Sequence, residues 1–203
     1  MCIDMHFITP SLLVLASGSP RRQQLLTQLG AEYSVCGQNI QEAPKKNEAS
    51  EEFVVRLARE KAVTGFDQQS DTDTVVLGAD TIVVCGDVAL GKPSSKEDAL
   101  RMLLMLSGKS HRVLSAVSLV TASKEKHILS DTLVEFRDID EYEAERYWAT
   151  GEQADKAGGY AIQGFGAVFV KSVTGSYSGV MGLPLFETAS LLREFGVPLW
   201  SAK

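Results

Sequence analysis

The stretch from Leu12 to Gly30, LLVLASGSPRRQQLLTQLG, constrains the fold of this chain more than any other. Leu12 to Ala16 form an apolar run with the length and character of a buried strand. It breaks at Ser17-Gly18-Ser19-Pro20, where Ser19 suits a helix N-cap and Pro20 the first helical position, at which a missing N–H costs nothing. Leu25, Leu26 and Leu29 then share one helical face, and Gly30 ends the helix. A strand that turns at once into a helix belongs to folds in which helices pack on a sheet. The same turn sets Arg21 and Arg22 at a helix start, where unpaired N–H groups and the dipole already carry positive charge. Cations there oppose the dipole unless an anion joins them, and planar guanidinium donors suit phosphate. Solvated arginines on a surface helix are the alternative. The turn lacks the GxxxxGK[ST] pattern, so P-loop chemistry has no support.

Downstream, helical and strand patterns alternate. A polar loop from Gln38 to Ala49 leads into a helix from Ser50 with Phe53, Val54, Leu57 and Ala58 inward and Gly65 after its end. TVVLGADTIVVCGDVALGKP reads as a strand, a kink at Gly78, further strand and a hairpin. Ser94 and Glu97 fit a capping box ahead of a helix carrying Ala99, Met102, Leu103 and Leu106. Two long strands follow, RVLSAVSLVTAS and HILSDTLVEFRDI, then a helix over about Asp140 to Trp148. The Gly-rich segment from Asp155 to Pro184 reads as loop and short strand, and LFETASLLREFG as a closing helix. The pattern predicts an α/β or α+β domain, with 44% hydrophobic residues among 203 to build its core.

A net charge of −6 argues against a general nucleic-acid or membrane-surface binder, since those partners reward a broad positive field. An anionic ligand therefore needs a local cationic pocket. Cys2, Cys36 and Cys85 form no CxxC pair and read as reduced thiols; His6, His111 and His127 lie in separate segments and make no metal cluster. The N-terminus has no basic region before its short apolar run, so a cytoplasmic location is expected.

Four further side chains draw attention. Lys61 lies i+4 and i+8 from Leu57 and Phe53, at the end of an apolar stripe, and either snorkels past the core or leans into a cleft. Asp80 sits in VLGADTIVV, where an unpaired carboxylate is costly and calls for a partner or a metal. Lys92 follows the hairpin in GKP, and Glu42, in the preceding loop, supplies a second acid. Together they suggest cations for a polyphosphate and carboxylates for a hard divalent cation.

At this level of detail the chain resembles the Maf family of nucleoside triphosphate pyrophosphatases. The resemblance rests on LASGSPRRQQLL, RLAREKA, LGADTIV, GKP, DKAGGYAIQG and GSYSGVMGLP, in that order, from about Leu13 to Leu185. It implies one domain over residues 1–203, with 1–11 a peripheral extension. The implied fold is an elongated mixed sheet with flanking helices, akin to the inosine triphosphatases, with a cleft between two lobes. It implies release of pyrophosphate from a nucleoside triphosphate with Mg²⁺ or Mn²⁺, a house-cleaning role and a homodimer. By motif position, Ser17, Arg22, Lys61 and Lys92 bind phosphates, Asp80 is the catalytic carboxylate and metal ligand, and Glu42 is a metal-side partner. Arg21, Thr81 and Gln163 match the branch acting on dTTP and UTP, and read the base or sugar. The competing reading is a nucleotide-binding regulator of septum formation that needs no turnover.

Overall fold

The computed structural model describes residues 12–201; the extension expected over residues 1–11 lies outside them. The chain opens with β1 (Leu13–Leu15), α1 (Pro20–Gln28), β2 (Tyr33–Val35) and α2 (Ser50–Phe66), followed by β3 (Val75–Cys85), β4 (Val88–Leu90) and α3 (Lys96–Leu106). It continues with β5 (Ser110–Val120), β6 (Glu125–Phe136), α4 (Glu141–Trp148), two 3-10 turns, β7 (Val170–Thr174), α5 (Tyr177–Met181) and α6 (Leu185–Glu194). This is a mixed α/β fold on a seven-stranded sheet of order β2-β1-β3-β5-β6-β7, with β4 paired to β3. Among the described residues no helix is long and apolar enough to cross a membrane.

Strand β3 organises the molecule. One of its edges pairs with β5 from Val76 to Val84 without interruption. Its other edge pairs with β1 in parallel at Val75 to Leu77, and with β4 antiparallel at Val83 to Cys85. Between those two partners the edge from Gly78 to Ile82 has no strand neighbour among the described residues, so a gap opens beside Asp80 and Thr81. The carboxyl end of β1 and the N-terminus of α1 face that gap, the position at which open α/β sheets hold ligands.

The period-2 alternation of β3 sorts its side chains. Val75, Leu77 and Ala79 join an apolar cluster with Leu25 and Leu26 of α1 and Leu191 and Leu192 of α6. Val83 and Cys85 join another with Leu103 and Leu106 of α3, Phe136 of β6 and Tyr147 of α4. Thr81 lies between these two clusters, so the apolar cores form two lobes with a cleft at its level. The opposite face carries Ile82 and Val84 against Val54 and Ala58 of α2.

Three local expectations change. Gly78 makes no kink, because β3 is continuous through it. It is glycine because α2 crosses so closely that a Cβ would stand 2.2 Å from the Ala58 carbonyl oxygen. Gly65 lies inside α2, not beyond its end, since a residue there must pass within contact of Ala16 and Val76. The cap of α3 is Ser95, whose hydroxyl accepts from the Asp98 amide, while Ser94 bonds the Asp98 carboxylate in place of the expected Ser94–Glu97 box. Strand β2 and helix α5, each five residues or fewer, were not in the sequence pattern.

Candidate active site

The gap beside β3 is the mouth of a cavity of about 640 Å³, within the range that holds small ligands. All nine residues singled out from the sequence line it: Ser17, Arg21, Arg22, Glu42, Lys61, Asp80, Thr81, Lys92 and Gln163. With Lys156 and Asp155 added, five basic and three acidic side chains among the described residues line its wall. The wall therefore carries a positive excess on a chain whose net charge is −6.

Its floor is a three-membered charge cluster. Lys61, on the buried stripe of α2, is only 6% exposed and reaches Asp80 Oδ1 at 2.6 Å. Glu42, from the loop before α2, meets the same ammonium at 2.6 Å. Lys61 thus leans into the cavity instead of snorkelling away, and the two carboxylates converge on one point. Partial burial works against ionisation of Glu42. The hydrogen bond and charge of Lys61, with Lys92 and Arg22 further off, outweigh it and hold the Glu42 carboxyl below its usual range.

The α1 end of the cavity is wired by hydrogen bonds. Ser17 Oγ accepts from the Ser19 amide at 3.3 Å and from Arg22 Nη1 at 3.1 Å. Both its lone pairs are used, which leaves its O–H to donate into the cavity. Arg22 also donates from Nε to the Gly182 carbonyl at 2.9 Å and from Nη2 toward Thr81 Oγ1 at 3.5 Å. Gly182 follows α5 with φ of 118°, a left-handed conformation suited to glycine that presents this carbonyl. Burial lowers the Arg22 pKa, against the pull of Asp80. Three of its five N–H groups are engaged by protein, so Arg22 braces the site as well as facing it.

At the mouth, Arg21 pairs with Asp155 across the gap, Nη1 to Oδ2 at 2.8 Å and Nη2 to the main-chain oxygen at 3.2 Å. Lys92 and Gln163 are exposed on the cavity wall, and among the described residues neither makes a side-chain hydrogen bond or ion pair. Asp155, Lys156 and Ser115 were not picked out as site residues. The first two stood within the DKAGG motif, but Ser115 is brought in only by strand register.

The model of the family described as Maf-like protein matches residues 12–195. A protein of Hahella chejuensis is 50% identical over 93% of this chain and 94% of its own length. One from Vibrio parahaemolyticus is 49% identical over 90% and 96%, and one from Alkalilimnicola ehrlichii 51% over 91% and 93%. Each of these relatives is named a dTTP/UTP pyrophosphatase. Among solved structures, the Staphylococcus aureus Ham1 protein is a remote likeness, 15% identical with a TM-score of 0.42 over 61% of this chain and 71% of that one. The cavity motifs and a family match spanning residues 12–195 lead to one conclusion: the chain belongs to the Maf family.

Proposed function

We propose that this chain hydrolyses dTTP and UTP to the nucleoside monophosphate and pyrophosphate. The observation that carries the reading is the convergence of Asp80 and Glu42 on Lys61, 2.6 Å from each, inside a cavity with a positive wall. A triphosphate carries about four negative charges, and attack by water concentrates charge on the leaving pyrophosphate. Fixed cations around that group stabilise the transition state more than the ground state.

The donor set fits a divalent cation. Asp80 and Glu42 offer hard carboxylate oxygens, and among the described residues no cluster of three or more His, Cys, Asp or Glu side chains surrounds them. Mg²⁺ or Mn²⁺ suits such a set, because these ions commonly take one or two carboxylates and fill the rest with phosphate oxygens and water. When bound, the metal supplies charge neutralisation at the reacting phosphoryl group.

The chain's own groups do the remainder. Asp80 accepts the proton of the attacking water, whose oxygen bonds to phosphorus while the α–β bridging P–O bond breaks and its electron pair leaves with pyrophosphate. Lys61 holds Asp80 in place. Ser17, the α1 N-terminus and Lys92 take phosphate oxygens. Gln163, whose amide both donates and accepts, faces the base.

Assaying pyrophosphate from UTP, dTTP, CTP, ATP, GTP and 7-methyl-GTP, with Mg²⁺ or Mn²⁺ and after chelation, tests the reading. Pyrophosphate from UTP and dTTP, lost on chelation, is expected. Tight UTP binding without turnover would favour the septum-regulator reading, and free phosphate without pyrophosphate would make the chain a phosphomonoester-type hydrolase.

A further inference from the structure

Ser115, on β5, is directly opposite Thr81 in the β3–β5 register and is buried, with 1% of its surface exposed. It lies outside the cavity wall, yet its hydroxyl reaches Thr81 Oγ1 at 2.8 Å and the Gly179 carbonyl of α5 at 2.7 Å. A carbonyl can only accept, so the single Ser115 proton goes to Gly179. The contact with Thr81 then has one possible direction: Thr81 donates and Ser115 accepts. Arg22 Nη2 approaches Thr81 Oγ1 at 3.5 Å, again with Thr81 as acceptor. The chain of donors runs one way, from Arg22 through Thr81 and Ser115 to the Gly179 oxygen.

The consequence falls on the face that Thr81 turns to the cavity. Its only proton points backward into the sheet, so it offers the ligand a lone pair and no donor. We infer that Ser115 is a positioning residue that fixes Thr81 as a hydrogen-bond acceptor, and that the group Thr81 reads is the imide N3–H of uracil or thymine. This rests on the pyrophosphatase reading and sharpens it. Cytosine has a bare N3 acceptor at the same place, so the two lone pairs would face each other and cytosine nucleotides are rejected without any steric clash. A site built for one hydrogen-bonding pattern discriminates against its complement because a buried polar group is left unpaired.

The test compares kcat/KM for UTP and CTP, by pyrophosphate release, in the wild type and in Ser115→Ala, Ser115→Cys and Ser115→Thr. Alanine and cysteine remove a competent acceptor behind Thr81, freeing its O–H to rotate toward the ligand; the Gly179 carbonyl keeps its bond from the Gly182 amide at 2.9 Å. The UTP-over-CTP ratio is expected to fall on the order of tenfold in both, mainly through a higher KM for UTP and a lower one for CTP, while Ser115→Thr keeps the wild-type ratio. Cysteine, close to serine in size, serves if alanine does not fold. A merely structural role would lower stability and both kcat/KM values together and leave their ratio alone. An unchanged ratio in the folded variants overturns the inference. Equal use of UTP and CTP by the wild type overturns it too, with the pyrophosphatase reading intact. No pyrophosphate from UTP at all overturns that reading and the inference with it.

Discussion

Lys61 and His111 are both buried ionisable side chains packed against the central strands, and the fold treats them in opposite ways. Lys61 keeps carboxylate partners on two sides at the cavity floor. His111, 1% exposed, has Tyr160 Oη at 2.8 Å from Nε2 and the edge of Phe136 at 4.8 Å between ring centroids, with no carboxylate bonded to it among the described residues. Burial pushes its pKa down to about 4, so it is neutral at pH 7. Lys61 is met by counter-charge and an open cavity, whereas the charge of His111 is removed where aromatic rings enclose it. The first arrangement suits chemistry on a polyanion; the second is packing.

Replacing Asp80 with Asn is the strongest way to break that contrast. The amide has nearly the same shape and can still accept from Lys61, while Glu42 remains to balance the ammonium. Loss of a catalytic acid or base commonly costs ~10² to 10⁴-fold in rate, and that drop in kcat with pyrimidine triphosphates is expected with the melting transition largely kept. Turnover within a few-fold of the wild type would make Asp80 a structural anchor like His111.

Lys61→Ala should instead be costly to the fold as well as to activity. It leaves two carboxylates facing each other at the cavity floor without their cation. Breaking a buried ion pair from one side costs about 3 to 5 kcal/mol, and the lower end applies here because Glu42 is 46% exposed. Urea unfolding measures it. A loss below about 1 kcal/mol would show that water reaches the floor freely, and that the cluster is not buried in any energetic sense.

His111 sharpens the comparison through pH. Its folded pKa, about 4, lies below the ordinary 6.5, so between those values the unfolded chain binds more protons than the folded one. Its contribution to stability is therefore complete above pH 6.5 and declines as pH falls toward 4. At 1.36 kcal/mol per unit, the loss attributable to this residue reaches at most about 3.5 kcal/mol. His111→Gln should flatten the decline in melting temperature over that interval. An equally steep decline in the variant would assign it to carboxylates. Glu42 acts in the same direction at lower pH, since its depressed carboxyl pKa gives stability that is present above 4.5 and lost as pH falls through the folded value.

What the sequence displayed was charge out of place: arginines at a helix start, a lysine on an apolar stripe, an aspartate in a β-branched run. Such conflicts are visible in one dimension because local pattern alone defines them, and all of these side chains line one cavity. Glycine was harder to read. At Gly78 the residue reflects the close passage of α2, but a kink would carry the same letter. Adjacent Ser94 and Ser95 each precede an acid by three positions, so the cap could slip by one. Least visible were partners set by register or long-range closure, such as Ser115 behind Thr81 and Asp155 opposite Arg21, separated by 34 and 134 positions.

The Arg21–Asp155 pair gives the smallest expected effect on stability and the finest test of the difference between floor and mouth. Its side chains are 22% and 60% exposed, and ion pairs so open to solvent contribute at most about 1 kcal/mol. Arg21→Ala should therefore shift the urea midpoint little, in contrast to Lys61→Ala. Its effect belongs in substrate choice, because a guanidinium at the mouth can exchange a carboxylate for a base carbonyl or a phosphate oxygen without crossing the core. The UTP-over-ATP ratio of kcat/KM is expected to fall several-fold in Arg21→Ala and to hold or rise in Asp155→Ala, which frees the arginine. Equal losses in both single variants, with none further in the double variant, would mean that the pair acts only as a latch between the lobes. Arg21 would then belong with His111 among the groups that hold the structure.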